Sequence, residues 1–285
     1  MASASMRAME PTTASRDRRQ DASPVGRLLR DWRSARGMSQ LDLALHAGFS
    51  ARHVSFIETG RTRPSRQALL VLAETLDVPL RERNRLLEAG GYAQVYRRTP
   101  LEAAEMGHVR GVLQFILDRH LPYAAVVLDR YSNCLMGNSA SGQLISAVED
   151  PSLITEHTNY LRLALHPRGL RHCIVNWDDV ARHVIRRAEH ELGRLRDDPT
   201  ATALLAELRE YVGPLQPPPA ALTAADLLLP VHIRRNGHEL RMFSTIMTLG
   251  TAQEVTLQEL RIETFFPADE ASEHTWRALA AAAVT

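Results

Sequence analysis

The chain contains no lysine: all 34 basic residues among its 285 are arginine. Genomic base composition accounts for that, so the absence carries no functional weight. Cysteine is nearly missing too. Cys134 and Cys173 lie 39 positions apart without a CxxC companion, which suits neither a disulfide framework nor a zinc finger and leaves free thiols in a reducing compartment. No stretch joins the length and apolarity that a membrane span requires. The first residues, MASASMRAMEPTTASRDRRQDAS, lack the apolar run of a signal peptide. A cytoplasmic protein without a membrane partner is expected. Walker and GxGxxG loops are also missing, and no cofactor is implied.

What is present is charge, unevenly spread. Residues 1–100 hold 17 Arg against 10 Asp and Glu, a net of +7, while residues 101–285 hold 17 against 23, a net of −6. The near-neutral total hides a basic half and an acidic half, and such asymmetry points to a polyanion as the partner of the basic end. The length suits two domains, each with enough apolar content for a core.

Residues 1–23 are Ala, Ser, Thr and Arg without periodicity and read as a disordered arm. Arg16, Arg18 and Arg19 within it suit phosphate contact or a solvated tail. Helical period begins at Pro24, with Val25, Leu28, Leu29 and Trp32 on one stripe and Arg27, Arg30 and Arg33 opposite. Further helices are predicted at 40–47, 51–58, 66–76 and 80–89, and Gly90-Gly91 closes a compact all-α domain of five short helices over 24–91. Residues 92–104 form a linker, and a new helix is predicted to about 119. From Pro122 the pattern changes: PYAAVVLDRYSNCLMGN reads as two strands about a turn near Asp129 to Ser132. Helices follow at 139–147, 157–165, 177–195 and 200–212, then the proline-rich QPPPAA. The end is β-like in LLLPVHIRR, HELRMFSTIMTLG and EVTLQELRIETFFP, with a closing helix over 268–283. Strands on both sides of a helical insert give an α+β domain with an antiparallel sheet over 105–285.

The stretch SQLDLALHAGFSARHVSFIETGRTRPS, Ser39 to Ser65, carries the clearest chemistry. Ser39 caps a helix in which Leu41, Ala44 and Leu45 are expected to face inward. Gly48 supplies a turn, and Ser50 caps a second helix with Val54 and Ile57 buried. This is helix-turn-helix spacing, in which a rigid corner presents the second helix to the DNA major groove. Outward positions are then Ser50, Ala51, Arg52, His53, Ser55 and Phe56. Arg52 suits a bidentate contact to guanine, and Ala51 a thymine methyl. The backbone amide of Gln40 suits a phosphate at the helix N-terminus, and Arg61 and Arg63 suit the phosphate backbone. Phe56 fits an apolar wedge and half-buried packing equally well.

These residues resemble the lambda repressor-like, xenobiotic response element type of helix-turn-helix, whose pattern is SQxxLAxxAGxSxxxxSxxExGxxxPS. The resemblance covers residues 24 to about 91, implies double-stranded DNA as partner, and gives Glu58 a structural role at the end of the recognition helix.

GGYAQVYRRTPL, AAVVLDRYSNCLMGN, LRLALHPRGLRHCIVNWDDVARHVI and TLQELRIETFFPADE resemble the MmyB-like ligand-binding domain, a PAS-like fold of bacterial regulators. That resemblance implies an apolar small-molecule pocket for fatty-acid-like ligands. Where the family carries aromatics near residues 130–138, this chain has Ser132 and Gly137, and the smaller side chains are expected to enlarge the pocket or change its ligand.

Read from the residues alone, Val126, Leu128, Leu135, Phe243, Ile246 and Ile262 line either a core or a pocket. Asn138, Arg162 and His166 are the polar groups nearest them, and Arg162 suits a carboxylate head group or a structural ion pair. Enzyme motifs fail on specifics. Gly137 to Ser141 lacks the last glycine of GxSxG, and His183 and His190 lack a third ligand or HExxH. A non-enzymatic, homodimeric, ligand-modulated DNA-binding regulator is therefore expected. The rivals are a constitutive DNA binder whose second domain only dimerises or binds a protein, and an enzyme localised to DNA.

Overall fold

The computed structural model describes residues 23–193, 195, 198–215, 230–235 and 237–282. The expected arm, Ser23 apart, and the QPPPAA stretch lie outside them. The chain divides into two compact units, one of the residues to Arg98 together with Gln253–Val255, and one of Thr99–Ala252 with the residues from Thr256 on.

The first unit is five helices: α1 (Pro24–Ala35), α2 (Gln40–Ala47), α3 (Ala51–Glu58), α4 (Arg66–Thr75) and α5 (Leu80–Ala89). Four of them start the same way, with the hydroxyls of Ser23, Ser39, Ser50 and Ser65 accepting from the amides of Gly26, Asp42, His53 and Ala68. Each bond satisfies a donor that the first helical turn leaves orphaned. Gly48 ends α2 in the left-handed region, φ 71°, where a side chain is strained and glycine is not. Leu29, Leu43, Val54, Ile57, Leu69 and Leu72 form the core at 0–1% exposure.

One face of α2 is turned relative to the expectation. Leu43 and Ala44 are buried, whereas Leu41 and Leu45 are 57% and 70% exposed. Apolar residues occupy five of the eight positions of QLDLALHA, so the helical period alone does not fix the phase; packing on α3 does. Arg33, expected on the solvent side, is largely covered, with its guanidinium on Glu58.

The second unit is a five-stranded antiparallel sheet with helices on both faces. Its strands are β1 (Ala125–Leu128), β2 (Cys134–Gly137), β3 (Val231–Arg235), β4 (His238–Met247) and β5 (Arg261–Pro267), in the order β2-β1-β5-β4-β3. Its helices are α6 (Gly107–Arg119), α7 (Ser141–Ile145), α8 (Tyr160–Leu165), α9 (Trp177–Leu192), α10 (Pro199–Val212), α11 (Val255–Glu259) and α12 (Glu270–Ala282). The expected strand EVTLQELRIETFFP is a helix over its second to sixth residues, Val255–Glu259. Five residues are too few for period 2 and period 3.6 to be told apart, and as a helix they bury Val255.

Alternation along the strands separates two cores. Ala125, Val127 and Ile262 pack with Leu113 and Leu117 of α6. Ile233, Leu240 and Met242 pack with Trp276 of α12 on the opposite face. A third core lies among α8, α9 and α10, around Leu161, Leu165, Ala181, Leu204 and Leu208.

Candidate nucleic-acid interface and ligand cavity

Helix α3 is anchored by Val54 and Ile57, both 0% exposed. That leaves Arg52 exposed and Ala51, His53, Ser55 and Phe56 partly so. Ser50 is spent as the cap, its hydroxyl 3.1 Å from the His53 amide. Two arginines meet the Phe56 ring, with the guanidinium carbon of Arg52 5.1 Å and that of Arg61 5.8 Å from its centroid. Both contacts fall within cation–π range and restrain two long side chains. His53 tilts against Phe49, ring centroids 5.4 Å apart.

Behind this surface stands Glu58, fully buried. It accepts from Arg33 Nε at 2.6 Å, Arg33 Nη2 at 2.9 Å and Gln40 Nε2 at 2.8 Å. Burial alone would raise its pKa, but the bonds from Arg33 and Gln40 and the charges of Arg33 and Arg30 outweigh it, and the carboxyl is held below its ordinary value. Gln40 therefore ties α2 to α3 through its side chain, while its backbone stays at the capped start of α2. Arg63 donates to the Gly90 carbonyl from Nε at 3.2 Å and Nη2 at 3.0 Å and lies over the Tyr92 ring. It braces the end of the unit as well as following α3.

The second unit holds a cavity of about 320 Å³ between the sheet and helices α8 and α9, at the small end of the roughly 300–1,000 Å³ range of small-molecule sites. Leu161, Leu163, Val180, Val184, Ile233 and Phe265 supply apolar wall, and Tyr160, His183, Arg187, Ser244 and Glu263 supply the polar groups. Arg187 pairs with Glu263 through two parallel contacts, Nη1–Oε1 and Nη2–Oε2, each 3.3 Å. Ser244 Oγ donates to Glu263 Oε1 at 2.8 Å. Burial pushes the Tyr160 phenol above its ordinary pKa and lowers that of His183, which Arg187 and Arg186 lower further, so both are neutral at pH 7.

Of the nine positions expected at a pocket, Phe243 borders this cavity, its ring stacked on Phe266 at 5.4 Å. Leu135 and Ile262 belong to the core under α6, Val126 and Leu128 are buried in β1, and Ile246 is 40% exposed. Asn138 is a staple: its Oδ1 accepts from Ala125 N and Ser141 N, and its Nδ2 donates to the carbonyls of Leu117 and Tyr123. Arg162 makes a bidentate pair with Glu207, at 2.8 and 2.7 Å. His166 accepts from the Arg168 amide and meets Tyr211 edge-on. The small residues at 132 and 137 open no space. A Cβ on Gly137 would stand 2.5 Å from Ser141 Oγ, and Ser132 is a buried turn residue with φ 66°.

Sequence reasoning missed Arg187, Glu263 and Ser244. A signal existed for Arg187, which lies seven residues from Val180 and three from Val184 on the apolar stripe of α9. Burial pushes the Cys134 thiol up to about 11, so it is not a thiolate at neutral pH. Among the described residues no cluster of His, Cys, Asp and Glu could hold a metal ion, and no helix is long and apolar enough to cross a membrane.

A family model described as the MmyB-like transcription regulator ligand binding domain matches residues 109–279. A helix-turn-helix domain model matches residues 24–86. Among solved structures the chain is similar to the restriction-modification controller protein C.AhdI from Aeromonas hydrophila, at 36% identity, covering 24% of this chain and 97% of that chain, with a TM-score of 0.21. A search of the curated proteins gives no match.

Proposed function

The chain belongs to the MmyB-like transcription regulators, with a DNA-binding helix-turn-helix followed by a ligand-binding domain, and from that premise we propose that it acts as a homodimer on a palindromic operator, under control of an apolar small molecule. The observation that carries this reading is the presentation of α3: Val54 and Ile57 lock it inward, which leaves Arg52 and its neighbours as a rigid outward row. Arg52 reads a guanine edge, Ala51 and Ser55 meet neighbouring bases, and Gln40, Arg61 and Arg63 set the register on the phosphates. A dimer would place two such helices about 34 Å apart along the duplex.

The largely apolar cavity supports a small-molecule effector, and fatty-acid-like molecules are one class with a suitable apolar body. Occupancy changes DNA affinity only as far as the ligand binds the DNA-competent and DNA-incompetent arrangements with different affinity, and DNA must change ligand affinity by the same factor.

The test joins two measurements on the full-length protein. Duplexes selected from a random pool are expected to converge on an inverted repeat. Mass spectrometry of an organic extract of the same preparation is expected to show a stoichiometric apolar species whose re-addition shifts the binding curve. A non-palindromic site refutes the dimer reading. DNA binding indifferent to every extracted or added apolar molecule moves the second unit to a purely dimerising or protein-binding role.

A further inference from the structure

A second, smaller space adjoins the cavity. It holds about 190 Å³ between α7, α12 and the β3–β4 hairpin, with Ala147, Leu240 and Trp276 in its wall and the exposed Arg235 and His238 at its rim. Leu240 of this wall and Met242 and Ser244 of the larger one recur at every second residue of β4, which puts both spaces on one face of the sheet. Alone, the smaller space falls below the roughly 300–1,000 Å³ of small-molecule sites. The larger, at about 320 Å³, only just enters that range, and the two together lie well inside it.

Two residues line both spaces, Leu144 and Ile233. The seam is therefore apolar. Ile233 is paired with Leu240 across the hairpin, and its branched Cβ makes it stiff. Leu144 is unbranched at Cβ, stands on a helix of five residues and is only partly buried, so it is the half of the seam that can turn aside. Each space also offers a buried donor with no hydrogen-bond partner among the described residues, Arg187 Nε in the larger and Trp276 Nε1 in the smaller. Such donors are rare in folded proteins, and a ligand oxygen reaching either would satisfy it.

We propose that one elongated, largely apolar molecule occupies both spaces, passing between Leu144 and Ile233, and that the side chain at position 144 sets the longest chain the protein accepts. This rests on the larger cavity being the effector site and adds the shape of its ligand. Leu144 is then a specificity-determining residue for ligand length.

The experiment titrates the full-length protein at pH 7.5 with octanol, decanol and dodecanol by calorimetry, below their solubility limits. These probes carry one oxygen and no charge, so only chain length varies. Affinity is expected to rise by about fourfold for each methylene that finds apolar wall, up to dodecanol. Ala147→Leu fills the smaller space alone, and it should weaken dodecanol at least tenfold while octanol stays within twofold. Leu144→Trp thickens the seam and should lower the ratio of dodecanol to octanol affinity at least tenfold. It gives the same readout from a partly buried position if Ala147→Leu does not fold. A folded variant with the natural length dependence overturns the spanning ligand, and so does an affinity that stops rising at octanol in the natural protein. Octanol and dodecanol weakened alike by Ala147→Leu would place both in the smaller space and overturn it too. Octanol binding that survives Ala147→Leu leaves the effector cavity standing in each of the other cases, whereas heat from none of the three alcohols overturns both readings.

Discussion

Arg33 and Glu58 join α1 to the end of α3 through two bonds, Nε to Oε1 at 2.6 Å and Nη2 to Oε2 at 2.9 Å, on a carboxylate with no exposed surface. Gln40 adds a third from α2 and Arg30 approaches Oε2 at 3.4 Å. Three helices thus converge on one carboxylate behind the surface proposed to read DNA. Removing it leaves the Arg33 guanidinium covered and unpaired, and breaking such a buried pair costs about 3–5 kcal/mol. Glu58→Ala should reduce hydrogen-exchange protection across α1 to α3 and leave the sheet of the second unit unchanged.

The same group sets a pH dependence. Its folded-state pKa lies below the ordinary 4.5, so the stability it contributes is fully present above 4.5 and is lost as pH falls through the depressed folded value. The stability difference between the natural protein and Glu58→Gln should stay flat from pH 8 to pH 6 and shrink below about 4.5, measured by urea unfolding at each pH. A difference that persists undiminished well below that range would rule out the ionised carboxylate as its source.

The Phe56 ring is in contact with both Arg52 and Arg61. Phe56→Leu keeps the apolar contact and removes the ring, so both arginines should lose orientation. Arg52→Ala should cost about 1–3 kcal/mol on the preferred site and relax discrimination there, whereas Arg61→Ala should weaken all duplexes alike and lower the salt slope by about one. Phe56→Leu should show both effects in reduced measure. Fluorescence anisotropy on specific and scrambled duplexes at several salt concentrations separates them. Unchanged discrimination in Arg52→Ala would remove α3 from the base-reading role.

The helices of the first unit were legible because Ser39, Ser50 and Ser65 mark their starts and Gly48 a turn, and such caps are local chemistry. The phase of α2 was not, since its apolar residues nearly encircle it. The cavity was less legible still. Arg187 and Glu263 are 76 positions apart and meet only through strand register and the docking of α9. By contrast Asn138 and Arg162, singled out for lying near apolar residues, find their partners within the fold. Sequence proximity to an apolar run does not say which face of a sheet a residue occupies.

The turned face of α2 is directly testable. Leu43 sits at 0% exposure, so Leu43→Ala should cost about 2–5 kcal/mol. Leu41→Ser and Leu45→Ser, at exposed positions, should each stay within about 0.5 kcal/mol. The reverse order in thermal melts would restore the inward placement of Leu41 and Leu45.

Gly137 approaches Ser141 Oγ too closely for a side chain, and that hydroxyl already donates to the Asn138 carbonyl at 2.7 Å. Gly137→Ala should destabilise by about 1–3 kcal/mol through overpacking. Ser141→Ala in the same chain should recover part of the loss, because the two changes share one contact and do not add. Additive losses in the double variant would mean that the strain lies elsewhere in β2.

Arg162 decides between a ligand contact and an internal strut. Its guanidinium is committed to Glu207, which the Tyr211 hydroxyl also contacts, and the bond from Arg162 is the leading cause that holds the Glu207 carboxyl below its ordinary pKa. With side chains 41% and 30% exposed, the pair is solvent-screened and should contribute no more than about 1 kcal/mol. Arg162→Ala should therefore lower the melting temperature slightly and leave the affinity for the extracted apolar species unchanged, since Arg162 does not line the cavity. Arg187→Ala, in the cavity wall, should change that affinity. If Arg162→Ala instead abolished binding while the protein stayed folded, the effector would sit against α8 and α10, and the cavity between the sheet and α9 would lose its assignment.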